Sequence, residues 1–305
     1  SYKATEELME DIYDRCQVLI LDAEGLEADE RAVEIVENYM EEDIDLVLAV
    51  GAGTIHDLSR FVAHQYRIPF VSVPTAASSD GFTSTVADMT WNGVKKAVAA
   101  SAPLFVFADT DIFAKAPARL TAAGVSDILG KYIALADWKI ASILMDEYYC
   151  TAVTDLETKA IRTVKDNLKE IAAGEKDACE KLMYALILSG LAMQMTGNSR
   201  PASGAEHHMV HLWDMEVVNG HLDALHGEKV SAATMLVLLE YKKLADAIRR
   251  GACRVHAFTD GDRELLQETF GRKGILGALE KENTPELLDD VSTETLSGAL
   301  PEILK

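Results

Sequence analysis

The first third of the chain alternates short apolar runs with stretches of helical period. Gln17 to Leu21 (QVLIL), Asp45 to Val50 (DLVLAV), Pro69 to Val73 (PFVSV) and Leu104 to Phe107 (LFVF) read as strands. Ala28 to Glu42 and Leu58 to Tyr66 read as helices between them. Apolar strands alternating with helices predict a parallel sheet covered on both faces. Ser84 to Trp91 and Val94 to Ala99 flank Asn92-Gly93, a strong short-range hairpin signal. Beyond about residue 115 the pattern changes. Helical period continues almost to the end, with helices expected over 155–172, 177–195, 203–215 and 228–249. Ser126-Asp127 is a plausible cap for a helix running to Leu144. The expectation is an α/β domain over 1–117, followed by an all-helical domain over 118–305, with the boundary near Ala116 to Thr121. Only about four parallel strands are countable, fewer than a nucleotide-binding sheet usually has. The sheet is therefore expected to be incomplete at its start.

Composition agrees with two globular domains: 305 residues, at about 150 per domain, with 49% hydrophobic and 26% charged. The net charge of −21 argues against a nucleic-acid partner or an anionic membrane surface. The opening SYKATEELMEDIY is acidic and has no secretory h-region. The longest apolar stretch, Leu182 to Met195, is shorter than the roughly 20 residues a membrane span needs, so it is expected as a buried helix. Cys16, Cys150, Cys179 and Cys253 form no close pair and are expected as buried small apolar residues in a reducing compartment. A cytoplasmic location follows as an expectation.

Four segments carry candidate chemistry. GAGTIHD, Gly51 to Asp57, follows a strand and opens a helix. Its glycines permit close backbone approach, and a helix start offers N–H groups to a phosphate. It is not GxGxxG, since His56 stands where the third glycine would fall, and a plain strand-to-helix turn competes with the phosphate reading. PTAASSDGFTS, Pro74 to Ser84, lies at the carboxyl end of a parallel strand, where open α/β sheets bind ligands; a polar loop is the alternative. Five of the eight histidines, His207, His208, His211, His221 and His226, fall between positions 207 and 226. His207 and His211 are spaced i,i+4 and share a helix face, which suits a divalent metal or a metal and a proton carrier. A solvated histidine-rich face is the alternative. His56, His64 and His256 are isolated and read as structural or surface residues. Asp127, in GVSDILGKY, becomes a ligand candidate only if the fold carries it to the histidines.

Taken together, GAGTIHD, VPTAASSDGFTS, GVSDILGKYIALADW, RPASGAEHHMVH and LHGEKV resemble the glycerol-1-phosphate dehydrogenase family. That family sits in the wider group of metal-dependent polyol dehydrogenases, iron-type alcohol dehydrogenases and dehydroquinate synthases. The matching segments span about residues 40 to 230. The resemblance implies a dehydroquinate-synthase-like fold with an active site in the cleft between the two domains. It also implies metal-dependent, reversible hydride transfer between NAD or NADP and dihydroxyacetone phosphate or glycerol 1-phosphate. By position, Gly51, Gly53, Thr54, Ile55, Thr75, Ser78 and Ser84 would contact the cofactor. Asp80 would contact substrate. Asp127, His207 and His226 would bind one divalent metal, zinc or nickel being favoured. His211 would contact substrate and, with Asp127, act in catalysis. His208 competes with His207 for the ligand position. Lys131 is a candidate for substrate phosphate, with a structural role as the alternative. A homodimer is implied by the family. A polyol dehydrogenase for unphosphorylated diols, a synthase-like lyase and a non-catalytic metal binder remain as competitors. Family members usually begin with further strands, so the adenosine end of the cofactor site and the choice between NAD and NADP stay open.

Overall fold

The computed structural model describes residues 10–41, 43–255, 260–282 and 291–305, together with Lys3 and Glu6. Three parallel strands, β1 (Val47–Gly51), β2 (Phe70–Pro74) and β5 (Phe105–Val106), form a sheet in the order β1-β2-β5. Val47 pairs with Phe70 and Gly51 with Pro74, so the two loops that leave β1 and β2 emerge side by side. Between β1 and β2 runs α2 (Gly53–Tyr66), which begins five residues earlier than its periodicity suggests because the glycine turn itself opens the helix. Helix α1 (Glu30–Tyr39) is capped by Asp29, whose side chain accepts the Ala32 N–H. The strands β3 (Val86–Trp91) and β4 (Val94–Ala99) form a separate antiparallel hairpin. Asn92 and Gly93 turn it with φ of 50° and 76°, the left-handed pair that a two-residue turn requires.

The expected strand Gln17–Leu21 joins no ladder. Instead, Leu21 packs with Ala32, Val33, Leu58, Val62 and Met89 where α1, α2 and the hairpin meet. Leu21 is the member of the run that covers this cluster, while Ile20 stays exposed.

The remainder of the described chain is helical. After the short α3 (Thr110–Phe113) come α4 (Ala118–Met145), α5 (Thr151–Asp166), α6 (Leu168–Ala172), α7 (Lys176–Thr196), α8 (Ala205–Asp214), α9 (His226–Arg249), α10 (Asp260–Phe270), α11 (Leu276–Glu282) and α12 (Thr293–Ile303). Two expectations are corrected. Pro117, not Ser126 or Asp127, begins α4, so Asp127 lies in the helix interior with its side chain free for tertiary contacts. The stretch 155–172 is two helices, broken at Asn167, whose φ of −118° departs from helical geometry and whose amide side chain bonds back to the Thr163 carbonyl.

α7 is the buried helix expected around Leu182–Met195 and packs with α4 and α5 around Ile128, Ile161, Leu182 and Leu186. The loop after β2 is held between α4 and α7 by close backbone approach. A Cβ on Gly124 would stand 2.1 Å from the Ala77 carbonyl oxygen, and one on Gly190 would stand 2.7 Å from that of Asp80. Phe82, at the end of that loop, belongs to the same helical core. No described helix is long and apolar enough to cross a membrane. Cys179 is buried, but Cys16, Cys150 and Cys253 keep partial exposure because they lie at element ends; all four are free thiols.

Candidate metal and cofactor site

The sheet's carboxyl edge supplies the first half of the site. Gly51 ends β1 and its carbonyl accepts the Thr75 N–H at 3.0 Å, tying the two loops together. Ala52 precedes α2 without any side-chain cap, so the first turn at Gly53, Thr54 and Ile55 carries backbone N–H groups with no side-chain partner. This is the arrangement that holds a phosphate. The half-buried Ile55 side chain packs with Ala49, Ala63 and Phe70. Thr75 and Ser78 are buried along the loop. Ser84 is also buried, and its Oγ accepts the Val86 N–H at 3.0 Å, so its hydroxyl already serves the loop.

Helices α4, α8 and α9 supply the second half. Asp127, fully buried, offers Oδ2 to the Asp80 N–H at 3.0 Å and Oδ1 to Lys131 Nζ at 2.7 Å. Lys131 Nζ also lies 2.8 Å from Asp80 Oδ2, which accepts the Ser189 hydroxyl at 2.9 Å. Burial opposes charge on Asp127, but Lys131, with His226 and His207, outweighs it and holds the carboxyl below its usual range. Burial likewise opposes charge on Lys131, and Asp127 and Asp80 more than restore it. The candidate phosphate ligand is thus spent inside, between two carboxylates.

His207 and His226 approach Asp127 from separate helices. Their Nε2 atoms are 3.3 Å apart, and His207 Nε2 lies 3.8 Å from Asp127 Oδ1. One donor atom from each of the three residues falls within 4.8 Å of the other two. Two imidazole nitrogens bound at about 2.05 Å to a tetrahedral ion stand roughly 3.3 Å apart, so the spacing fits a divalent cation. Asp and two His ligands leave coordination positions for substrate oxygens. His207 is buried while His208 is exposed, so the buried cluster contains the former. His221 is exposed beside Glu216.

His211 lies one turn beyond His207, with Nε2 3.8 Å from Asp88 Oδ1 on the hairpin. Burial lowers its pKa to about 4, against the pull of Asp88, so the ring is neutral at pH 7. Asp88 in turn lies 3.3 Å from Lys95; burial pushes its carboxyl up, but Lys95 and the nearby imidazoles bring it below its ordinary value.

Several buried polar residues were invisible to sequence reasoning. Arg60, fully buried on α2, donates to the carbonyls of Ser84 at 2.6 Å, Val86 at 3.2 Å and Gly81. It pins the loop that carries Asp80, through contacts more than 20 residues away that no local pattern signals. Glu157 is buried on α5, and burial raises its carboxyl to about 7. Glu206 directly precedes His207 and hydrogen-bonds it; a glutamate inside RPASGAEHHMVH was the available signal. His56 is buried edge-on against Phe82, with burial lowering its pKa to about 3, whereas His64 is exposed; both lie apart from the metal-ligand cluster. His256 lies outside the described residues.

The sequence family model for iron-containing alcohol dehydrogenases matches residues 2–117. The solved structure of a probable glycerol dehydrogenase from Sinorhizobium meliloti 1021 superposes with a TM-score of 0.61 over 97% of this chain and 88% of its own, at 20% identity. The fold is therefore that of the iron-containing alcohol dehydrogenases. A glycerol-1-phosphate dehydrogenase [NAD(P)+] from Geobacillus thermodenitrificans (strain NG80-2) is 39% identical over 283 residues, 88% of this chain and 70% of that protein. One from Geobacillus stearothermophilus is 44% identical over 71% of this chain and 54% of its own length. The chain belongs to the glycerol-1-phosphate dehydrogenase family, and spans between half and about two thirds of the length of these relatives.

Proposed function

We propose that the chain catalyses reversible hydride transfer between NADH or NADPH and dihydroxyacetone phosphate, giving sn-glycerol 1-phosphate. The observation that carries this is the meeting of Asp127, His207 and His226 from three helices, with Asp80 of the sheet-edge loop bonded to Asp127. In this reading the division falls at residue 117, with the cofactor held by the α/β part and the metal by the helical part. Gly53, Thr54 and Ile55 present backbone N–H groups to the cofactor pyrophosphate, beside Gly51, Thr75, Ser78 and Ser84. Asp127, His207 and His226 hold one divalent ion, zinc or nickel. When bound, the ion supplies Lewis acidity at the substrate oxygens and the nicotinamide supplies the hydride.

The remaining work belongs to the protein. Lys131 and Ser189 fix Oδ2 of Asp80, so the carboxylate is held ready to orient a substrate hydroxyl. His211, neutral at pH 7, passes a proton between water and the reacting oxygen, with Asp88 facing its ring. A cytoplasmic homodimer completes the proposal.

An unphosphorylated diol is the competing substrate, favoured by one observation: Lys131 is buried and already paired. The deciding experiment follows NADH and NADPH oxidation with dihydroxyacetone phosphate and, in parallel, dihydroxyacetone. Chelated protein is reloaded separately with zinc and nickel. Metal-dependent turnover confined to the phosphorylated ketone is expected; equal turnover of dihydroxyacetone would overturn the phosphate assignment.

A further inference from the structure

We infer that Glu206 is a positioning residue that fixes the tautomer and orientation of His207, leaving His207 Nε2 as the lone-pair donor toward the metal position. This deepens the proposed metal site and rests on it. Glu206 is fully buried in the first turn of α8. Its Oε1 lies 2.7 Å from His207 Nδ1 and accepts the Gly204 N–H at 3.0 Å. Oε1 is placed to accept from Nδ1–H, and Nε2 faces the other donor atoms of the cluster, so the geometry puts the ring hydrogen on Nδ1. Nε2, the atom 3.3 Å from His226 Nε2, is then unprotonated. Without that partner the proton is free to occupy either ring nitrogen.

The absence of a side chain at Gly204 leaves room for the carboxylate. A Cβ on Gly204 would stand 2.9 Å from Glu206 Oε2 and 2.5 Å from Asp137 Oδ2. Asp137 accepts the neighbouring Ala205 N–H at 2.7 Å and is itself bonded by the Tyr241 hydroxyl. Two carboxylates thus gather at one helix start, each accepting one of its N–H groups. Asp137 anchors the helix backbone, while Glu206 reaches the Nδ1 side of the imidazole. Carboxylate partners of ligating histidines also raise ligand basicity, and their loss typically weakens metal binding about 10- to 100-fold.

The test compares Glu206→Gln and Glu206→Ala with the wild type. Zinc affinity is measured by competition with a chromophoric chelator, and the His207 ring is read by long-range 1H–15N correlation in metal-free protein. The glutamine can still accept from Nδ1–H and keeps the seat filled. It should retain the wild-type tautomer and bind zinc only a few-fold more weakly. The alanine variant should show mixed tautomers and bind zinc at least about tenfold more weakly. Zinc affinities within twofold across all three proteins would overturn the inference, as would a wild-type His207 protonated on Nε2. If wild-type protein binds neither zinc nor nickel, the proposed metal site fails, and the tautomer measurement still decides the role of Glu206.

Discussion

Arg60→Met should cost about 4 kcal/mol and loosen the loop that carries Asp80. Arg60 is fully buried, and its guanidinium serves the Ser84, Val86 and Gly81 carbonyls as well as that of His56 in its own helix. Methionine fills a similar volume but donates nothing. The Gly81 carbonyl keeps the Ser84 N–H, but those of Ser84 and Val86 lose their donor, at about 1–3 kcal/mol for each that stays buried and unsatisfied. Two such losses span about 2–6 kcal/mol, with about 4 kcal/mol in the middle of that range. At the 2–4 °C per kcal/mol that chains of this size show, the melting temperature should fall by roughly 10 °C. Urea denaturation and calorimetry give the stability, and amide exchange over 78–86 reports the loop. On the proposed cofactor site, which includes Thr75 and Ser78 of the same loop, NADH titration should show weaker binding. Arg60→Lys should recover only part of the loss, since a single ammonium cannot reach carbonyls in three directions as the planar fork does. A variant within 1 kcal/mol of wild type, with unchanged exchange at 78–86, would refute the role assigned to Arg60.

Glu157→Gln should stabilise the protein at pH 8 and do little at pH 5. Burial raises this carboxyl from 4.5 to about 7, so the native state holds the extra proton between those values and stability declines as pH rises through that window. The full effect is about 3 kcal/mol, and denaturation showing the same difference at both pH values would sink the explanation. Gly124→Ala should destabilise by 1–3 kcal/mol or more in thermal melts, because its Cβ would enter the Ala77 carbonyl; a melt unchanged from wild type contradicts the tight docking of the loop. His226→Ala and His207→Ala should each abolish zinc retention and reduce kcat by at least about 10³-fold while leaving the circular dichroism spectrum intact. His208→Ala should leave both nearly unchanged, since that ring faces solvent; equal losses at His207 and His208 would exclude the assignment of ligands.

Much of the architecture follows from local chemistry that a linear chain already contains. The apolar runs of β1 and β2, the Asn92-Gly93 turn and the long helical periods α7 and α9 are set by side-chain spacing and backbone preference. The clustering of five histidines and the glycine turn opening α2 are equally local, which is why the candidate site residues were readable. Where competing uses of one pattern exist, periodicity does not decide between them. Gln17–Leu21 satisfies a strand pattern and yet joins no ladder among the described residues; Leu21 packs on a helix cluster instead, because burial of apolar surface is non-directional and either use buries that side chain. Asp127 has the chemistry of a helix cap and yet lies inside α4, because Pro117 starts the helix earlier and tertiary partners claim the carboxylate.

What only the folded chain decides is which polar groups share the same buried volume. Asp127 meets His207 and His226 across 80 and 99 positions of sequence, Lys131 is drawn between Asp127 and Asp80, and Arg60 spans to a loop 21 to 26 residues away. Charge in a dry interior survives only where partners surround it, and those partners come from different elements. Side-chain types and their local spacing determine the elements and offer the ligands. Packing of α4, α8 and α9 around the sheet-edge loop turns those ligands into one site.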